Sequence, residues 1–307
     1  MGLQSMKLSA GWTSPEPDRV LRLSDGRRLQ YREIGAADGR PVLALHGTPA
    51  SRLMYAVADS DAARLGLRLI APDRWGYAGS DPHPRPSLHN WAADCVALAD
   101  HLGLPRFSVI GISGGGPYAT GVAALFPDRI DALALAVPVG PIADTGAARD
   151  LGLLHRLEFR WAGLHPTVVR TAFGMFRSQL HRSPRRAISL VGLATSKCDR
   201  LLLSIPEIGD YLSTIFRDGL KPGAEGAVID MQIFTQPWKV PLDAISAPTR
   251  IWVGGRDRIA PAAAVRELGR QIPGAETIEF EDAGHFWIVR DYPLVLQWLA
   301  GKGTATR

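Results

Sequence analysis

Residues 107–126 read FSVIGISGGGPYATGVAALF, and the change of pattern inside them decides the architecture. FSVIG is a short apolar run of the kind that forms a strand buried on both faces, while GGPYATGVAALF has the length and composition of a helix. Ser113 falls on the turn between them, within Gly111-Ile112-Ser113-Gly114-Gly115, a G-x-S-x-G pattern. A serine on such a strand-to-helix turn is held in a strained backbone conformation with its Oγ exposed above the sheet. The glycines on either side let strand and helix pass closely. The competing reading is a glycine-rich turn that cradles a phosphate, but no Walker lysine follows it.

The same alternation extends in both directions. PVLALHG (41–47), LRLIAPD (67–73), IDALALAVPV (130–139), TRIWVGG (249–255) and AETIEF (275–280) are further short apolar runs. Two alternating runs, RVLRLS and RLQYREIG, flank Asp25-Gly26 and predict a hairpin over 19–35. Helical patterns fill the gaps at about 55–65, 114–126, 261–272 and 292–300. Another begins after Ser87, a suitable N-cap, with Leu88, Trp91, Cys95, Leu98 and Leu102 on one face. Strands alternating with helices predict an α/β fold, a mostly parallel sheet with helices on both faces. From about Pro141 to Val240 the rhythm stops, and several helices punctuated by proline and glycine read as an inserted helical cap. The core is then 19–140 together with 241–307, and the polar stretch 1–18 is an N-terminal arm.

Composition narrows the class. The 307 residues are 46% hydrophobic and 21% charged, which excludes a disordered or coiled-coil chain. The formal charge of +5, from 35 Lys+Arg against 30 Asp+Glu, is too small for this length to mark a nucleic-acid surface, and no nucleic-acid motif accompanies it. Two cysteines, Cys95 and Cys198, cannot build a disulfide framework or a metal cluster. With no apolar leader at the start and no run near the ~20 apolar residues of a membrane span, a soluble cytoplasmic protein is expected.

A serine hydroxyl needs a base, and that base needs a third group to orient it. Asp257 follows the strand run TRIWVG and His285 follows AETIEF. Ligand sites of open parallel sheets collect at the carboxyl ends of strands, so Ser113, Asp257 and His285 can converge there. His46 ends a strand and braces its loop, whereas the remaining histidines lack a strand-end position. Asp144, beyond the 130–139 strand, is the main rival to Asp257 as the acid. Asp282 is placed along the strand edge.

Five segments in this order, HGTP (46–49), PDRWGYAGSD (72–81), GISGG (111–115), GGRD (254–257) and AGH (283–285), resemble the α/β-hydrolase fold family over about residues 19–300. The resemblance implies a catalytic triad of Ser113, Asp257 and His285. It implies an oxyanion hole formed by the backbone N–H groups of Thr48 and Gly114, where two fixed donors meet the charge that develops on a carbonyl oxygen. Epoxide hydrolases and haloalkane dehalogenases of this fold use an aspartate nucleophile, from which Ser113 departs. Carbon–carbon bond hydrolases share the triad but carry a different glycine-rich oxyanion loop.

The cap should choose the substrate. Trp161, Phe176 and Phe234 from it, with Trp75, Tyr118 and Trp287 from the core, are candidate walls of an apolar cleft over Ser113. The expected activity is that of a serine hydrolase, a carboxylic ester hydrolase acting on an ester or lactone of a largely apolar small molecule through an acyl-enzyme. It would need no cofactor or metal and act as monomer or homodimer. The alternatives are a ligand-binding, receptor-like protein with little turnover, or an amide or carbon–carbon bond hydrolase on the same triad.

Overall fold

A computed structural model describes residues 18–145 and 165–302. Eight strands form one sheet: β1 (Arg19–Arg22), β2 (Arg28–Gly35), β3 (Arg40–Leu45), β4 (Leu67–Pro72), β5 (Phe107–Ile112), β6 (Ile130–Ala136), β7 (Thr249–Gly254) and β8 (Glu276–Phe280). Their order across the sheet is β1-β2-β4-β3-β5-β6-β7-β8. β2 pairs antiparallel with β1 and β4, and every other pairing is parallel. Only closed α/β packing explains strands as continuously apolar as β3, β5, β6 and β7, because both their faces are covered.

Alternate residues feed two cores. Leu43, Leu45, Val109, Leu133 and Leu135 join the helices α2 (Leu88–His101) and α3 (Gly116–Leu125) on one face. Val42, Ala44, Ile110 and Ile112 point the other way, with Ala132, Ala134 and Ala136, toward α1 (Asp59–Arg64) and the C-terminal helix. Ser87 caps α2 as expected, accepting from Asn90 N–H, and Cys95 is buried on the apolar face of that helix. The stretch expected to be helical at about 55–65 divides into a 3-10 segment, Arg52–Ala58, and the short α1.

Between β6 and β7 the described residues hold helices and no strand. Besides single turns at Ile142–Thr145 and Leu242–Ala244, these are α4 (Pro166–Arg182), α5 (Pro184–Leu193), α6 (Lys197–Leu203), α7 (Pro206–Gly219) and α8 (Glu225–Phe234). Three of the five open on a proline, whose fixed φ suits a first turn and whose missing N–H is not needed there. After β7 come α9 (Ala262–Gln271) and α10 (Ile288–Lys302). The sequence pattern shows only the part of α10 beyond residue 292, because the helix is kinked at Asp291 with Pro293 in its next turn. Trp161 lies outside the described residues, as does all of the expected arm except Asp18. That residue's carboxylate accepts from the guanidiniums of Arg32 and Arg52.

The order β4-β3-β5 has a functional consequence. From β3 the chain moves outward to β4 and then returns to the other side of β3 to form β5. The connections therefore diverge above the carboxyl ends of β3 and β5, opening a crevice between the loop that begins at His46 and the turn that holds Ser113.

Candidate active site

Ser113 follows β5 directly and has φ +52°, in the left-handed region. A non-glycine residue pays for that conformation, and it is retained where surrounding contacts over-determine it. Here the Ser113 carbonyl accepts from Val139 N–H at 3.0 Å, tying the turn to the segment after β6. Gly115 lies so close to β3 that a Cβ would fall 2.2 Å from the Leu45 carbonyl oxygen. The second glycine of G-x-S-x-G is thus a requirement of packing.

His285, in the loop between β8 and α10, places Nε2 2.9 Å from Ser113 Oγ. Its Nδ1 lies 2.7 Å from Asp257 Oδ2. Asp257 Oδ1 accepts from the N–H groups of Ile259 at 2.7 Å and Ala260 at 3.0 Å, which fixes the carboxylate in its own loop. Both side chains of the His285–Asp257 pair are nearly excluded from solvent. Burial by itself disfavours the imidazolium. The charge of Asp257, its hydrogen bond and the charge of Asp199 outweigh burial, so the pKa of His285 lies above the ordinary histidine value.

The rivals for the acid position are elsewhere. Asp282 is exposed and pairs with Arg256 on the surface at 2.6 Å. The Asp144 side chain lies outside the described residues. His46 is fully buried. Its Nδ1–H meets the Gly47 carbonyl at 2.9 Å and its Nε2 accepts from Arg74 N–H at 2.9 Å. Burial, reinforced by the Arg74 charge, holds its pKa well below the usual range, so it is a neutral brace for the loop.

Thr48 faces the same cavity as Ser113. Gly114 backs directly on it: a Cβ at Gly114 would lie 2.2 Å from Thr48 Oγ1. The Thr48 hydroxyl is turned away from the reaction space, donating to Asp230 and accepting from Arg74 at 3.1 Å. Asp230 is a buried carboxylate of α8 that also accepts from Tyr77 Oη at 2.7 Å and Tyr118 Oη at 2.6 Å. Neither Asp230 nor Arg74 stands out as a site residue in sequence reasoning. The available signal was Asp230 in EGAVIDMQIF, the one acid beyond the first turn of a helix that is otherwise apolar there apart from Gln232.

The cavity above Ser113 has a volume of about 270 Å³. Its walls come from α4, α5 and α7, which supply Phe173, Phe176, Val191, Leu212 and Phe216, and from the His285 loop and α10. Of the expected wall residues, Phe176 lines it. Trp75, Tyr118, Phe234 and Trp287 do not, and each has a packing role instead. Trp75 stacks edge-on against Trp91 and donates to Asp94, while Tyr118 is committed to Asp230. Phe234 is buried in the core beneath the insertion, its ring tip against Gly114. Trp287 packs on Phe280. The expectation failed because an aromatic beside a motif, or in the insertion, points into whichever core its backbone dictates. The cavity is lined instead by insertion side chains that carry no motif. Among the described residues, no group of three or more histidine, cysteine, aspartate or glutamate side chains could hold a metal ion, and no helix is long and apolar enough to cross a membrane.

Residues 40–291 match the family described as the alpha/beta hydrolase fold. The chain belongs to that family. Among curated relatives, this α/β-hydrolase is 27% identical over 293 residues to a 2-hydroxymuconate semialdehyde hydrolase of Pseudomonas putida, with 91% of each chain covered. Among solved structures, epoxide hydrolase A of Mycobacterium thermoresistibile superposes with a TM-score of 0.73 at 20% identity, covering 95% of this chain and 99% of that one. A thermophilic esterase of Thermogutta terrifontis gives 0.66 at 22% identity, covering 95% and 100%. At these identities the structural likenesses speak for the fold alone. The family and its relatives identify a hydrolase at the level of reaction class.

Proposed function

We propose that this α/β-hydrolase is a serine hydrolase that cleaves a carboxylic ester or lactone of a largely apolar small molecule through an acyl-enzyme. The observation that carries the reading is the unbroken hydrogen-bonded chain Ser113–His285–Asp257 on the floor of an apolar cavity. In this reading Ser113 Oγ attacks the substrate carbonyl as His285 Nε2 takes its proton. Asp257 holds the proton of Nδ1 and favours the imidazolium that results. The N–H groups of Thr48 and Gly114 receive the oxyanion, helped by the N-terminus of α3 just beyond the elbow. As the tetrahedral intermediate collapses, His285 returns its proton to the departing alkoxide. Water, deprotonated by the same imidazole, then releases the acid and restores Ser113.

Two features support an uncharged substrate. The described walls are aliphatic and aromatic, and the polar groups that reach the cavity are those of the triad, the Thr48 loop and Tyr292, whose hydroxyl is already bonded to the Met54 carbonyl at 3.1 Å. The helical insertion, taken as a cap over 141–240, would then select by shape and exclude water from the acyl-enzyme. Fluorophosphonate labelling followed by peptide mapping, together with turnover of p-nitrophenyl esters by wild type and Ser113→Ala, tests the proposal. Labelling at Ser113 and turnover abolished by the substitution are the expected results. Folded wild-type protein that neither labels nor turns over would remove it.

A further inference from the structure

The cap and the catalytic histidine meet through a carboxylate outside the triad. Asp199, on α6 of the insertion, is fully buried. Its Oδ2 accepts from the backbone N–H of His285 at 3.0 Å and its Oδ1 from that of Phe286 at 2.8 Å. Ser196 Oγ–H adds a third donor at 2.6 Å. Ser196 is the N-cap of α6 and accepts from Asp199 N–H at 3.3 Å. In an ordinary capping box the acid three residues on would turn back to the cap's own N–H. Here it turns outward and closes on the histidine loop instead. The loop is shaped to receive it: a Cβ on Gly284 would fall 2.2 Å from Asp199 Oδ2.

Among the described residues no lysine or arginine forms an ion pair with Asp199, so its charge is held by dipoles alone. A buried carboxylate held this way is costly, and its field acts strongly on any neighbour able to become positive. The His285 imidazole contacts Asp257 from the loop after β7 and Ser113 directly after β5, and it feels the charge of Asp199 from α6, which is bonded to the His285 backbone N–H. The Cys198 thiol, also on α6, meets Ser196 Oγ at 3.0 Å. Tyr292 of α10 lines the same cavity with its hydroxyl committed elsewhere.

We infer that Asp199 is a positioning residue for the general base: it clamps the His285–Phe286 backbone to the cap, and its negative charge favours the imidazolium formed when Ser113 is deprotonated. The inference rests on the triad reading. It makes the cap more than a lid, because any shift of α6 relative to the core would change both the aim and the basicity of His285.

The test compares wild type, Asp199→Asn and Asp199→Glu in the full chain. The readouts are the pH profile of kcat/KM on p-nitrophenyl butyrate and an NMR titration of the His285 ring. Asn keeps the size and removes the charge, so both the acid limb and the ring pKa should fall by about half a unit or more, with the plateau down roughly tenfold. Glu keeps the charge with altered geometry, so the plateau should fall while the limb stays near its wild-type position. A limb and ring pKa unchanged in Asn, or moved equally in Asn and Glu, would overturn the inference by reducing Asp199 to a structural clamp. If Asp199→Asn fails to fold, Ser196→Ala decides. Losing one hydrogen bond exposes more of the carboxylate's charge to the ring, so the His285 pKa should rise, and no rise refutes the idea. The NMR titration is independent of turnover. Wild-type protein that hydrolyses no ester while its ring pKa still depends on Asp199 would sink the triad reading and leave the electrostatic coupling standing.

Discussion

Arg74 and Asp230 form an ion pair in which each side chain is only 1% exposed, although one follows β4 and the other lies 156 residues later in the last helix of the insertion. The pair is the hub beneath the Thr48 loop: Arg74 also reaches the His46 carbonyl and Thr48 Oγ1, and Asp230 gathers the hydroxyls of Thr48, Tyr77 and Tyr118. Removing one partner leaves the other charge buried without compensation, which costs about 3–5 kcal/mol. Asp230→Ala should therefore lose stability of that order in urea denaturation. Asp230→Asn, which retains the volume and an acceptor, should lose less. Both should lower kcat, because Thr48 is no longer anchored beside Ser113. An Asp230→Ala protein as stable as wild type would show that the hub is not a determinant of the fold.

Asp257→Asn tests the orientation of the base. The asparagine Oδ1 can still accept from Ile259 and Ala260, so the loop keeps its shape. Its amide group, however, presents a donor to His285 Nδ1 and drives the ring proton onto Nε2, the nitrogen that must accept from Ser113. A substitution of this kind in a serine triad lowers kcat by about 10⁴. The expected outcome is a folded protein, by circular dichroism, with kcat on p-nitrophenyl esters reduced by about that factor and little change in KM. Retention of full activity would show that the His285–Asp257 bond has no catalytic part.

The raised pKa of His285 fixes the direction of the pH dependence. The base works only as neutral imidazole, so kcat/KM on a non-ionising ester should climb with pH through a midpoint above the ordinary histidine value of about 6.5. The stability sign runs the other way. A group whose pKa is raised on folding stabilises the native state below its unfolded pKa, and that contribution fades as pH rises through the folded value. His285→Gln, which cannot be protonated, should lose this component of stability at acid pH and not above the shifted midpoint. Paired melting curves at the two ends of that window would check it.

Much of the architecture, and the convergence of Ser113, Asp257 and His285, could be read from the chain because each is marked locally. A buried parallel strand announces itself as a short apolar run, and Ser113 and Asp257 each follow such a run within a few residues, whereas His285 follows the exposed edge strand β8. Asp199, Asp230 and the cavity walls are set by a different mechanism. Their roles arise where the insertion touches the core, and no periodicity in sequence encodes which helix face meets which loop. Traces existed nonetheless. Ser196-Lys197-Cys198-Asp199 has capping-box spacing, Gly284 precedes the histidine, and Asp230, the acid in the apolar middle of EGAVIDMQIF, demanded a buried partner. Each indicates that something is required nearby without saying what. Trp75, Tyr118, Phe234 and Trp287 show the converse error: an aromatic beside a motif, as Trp75, Tyr118 and Trp287 are, or in the insertion, as Phe234 is, builds the scaffold as readily as it faces a cavity.

The size of the cavity makes the acyl preference testable. A volume of about 270 Å³ lies just below the range of drug-sized pockets and suits a short acyl or alkyl group. Phe176 closes one side from α4, its ring 6.0 Å from that of Phe216 on α7. Phe176→Ala should open that wall at a modest cost in stability, because the side chain is only partly buried. Each additional methylene that becomes buried contributes about 0.8 kcal/mol. If the new space admits two, the ratio of kcat/KM for p-nitrophenyl octanoate over butyrate should rise about tenfold, with butyrate itself little changed. Chain-length profiles of wild type and variant, measured side by side, decide the matter. A ratio that does not move would mean that Phe176 faces a part of the cavity that the acyl chain never enters.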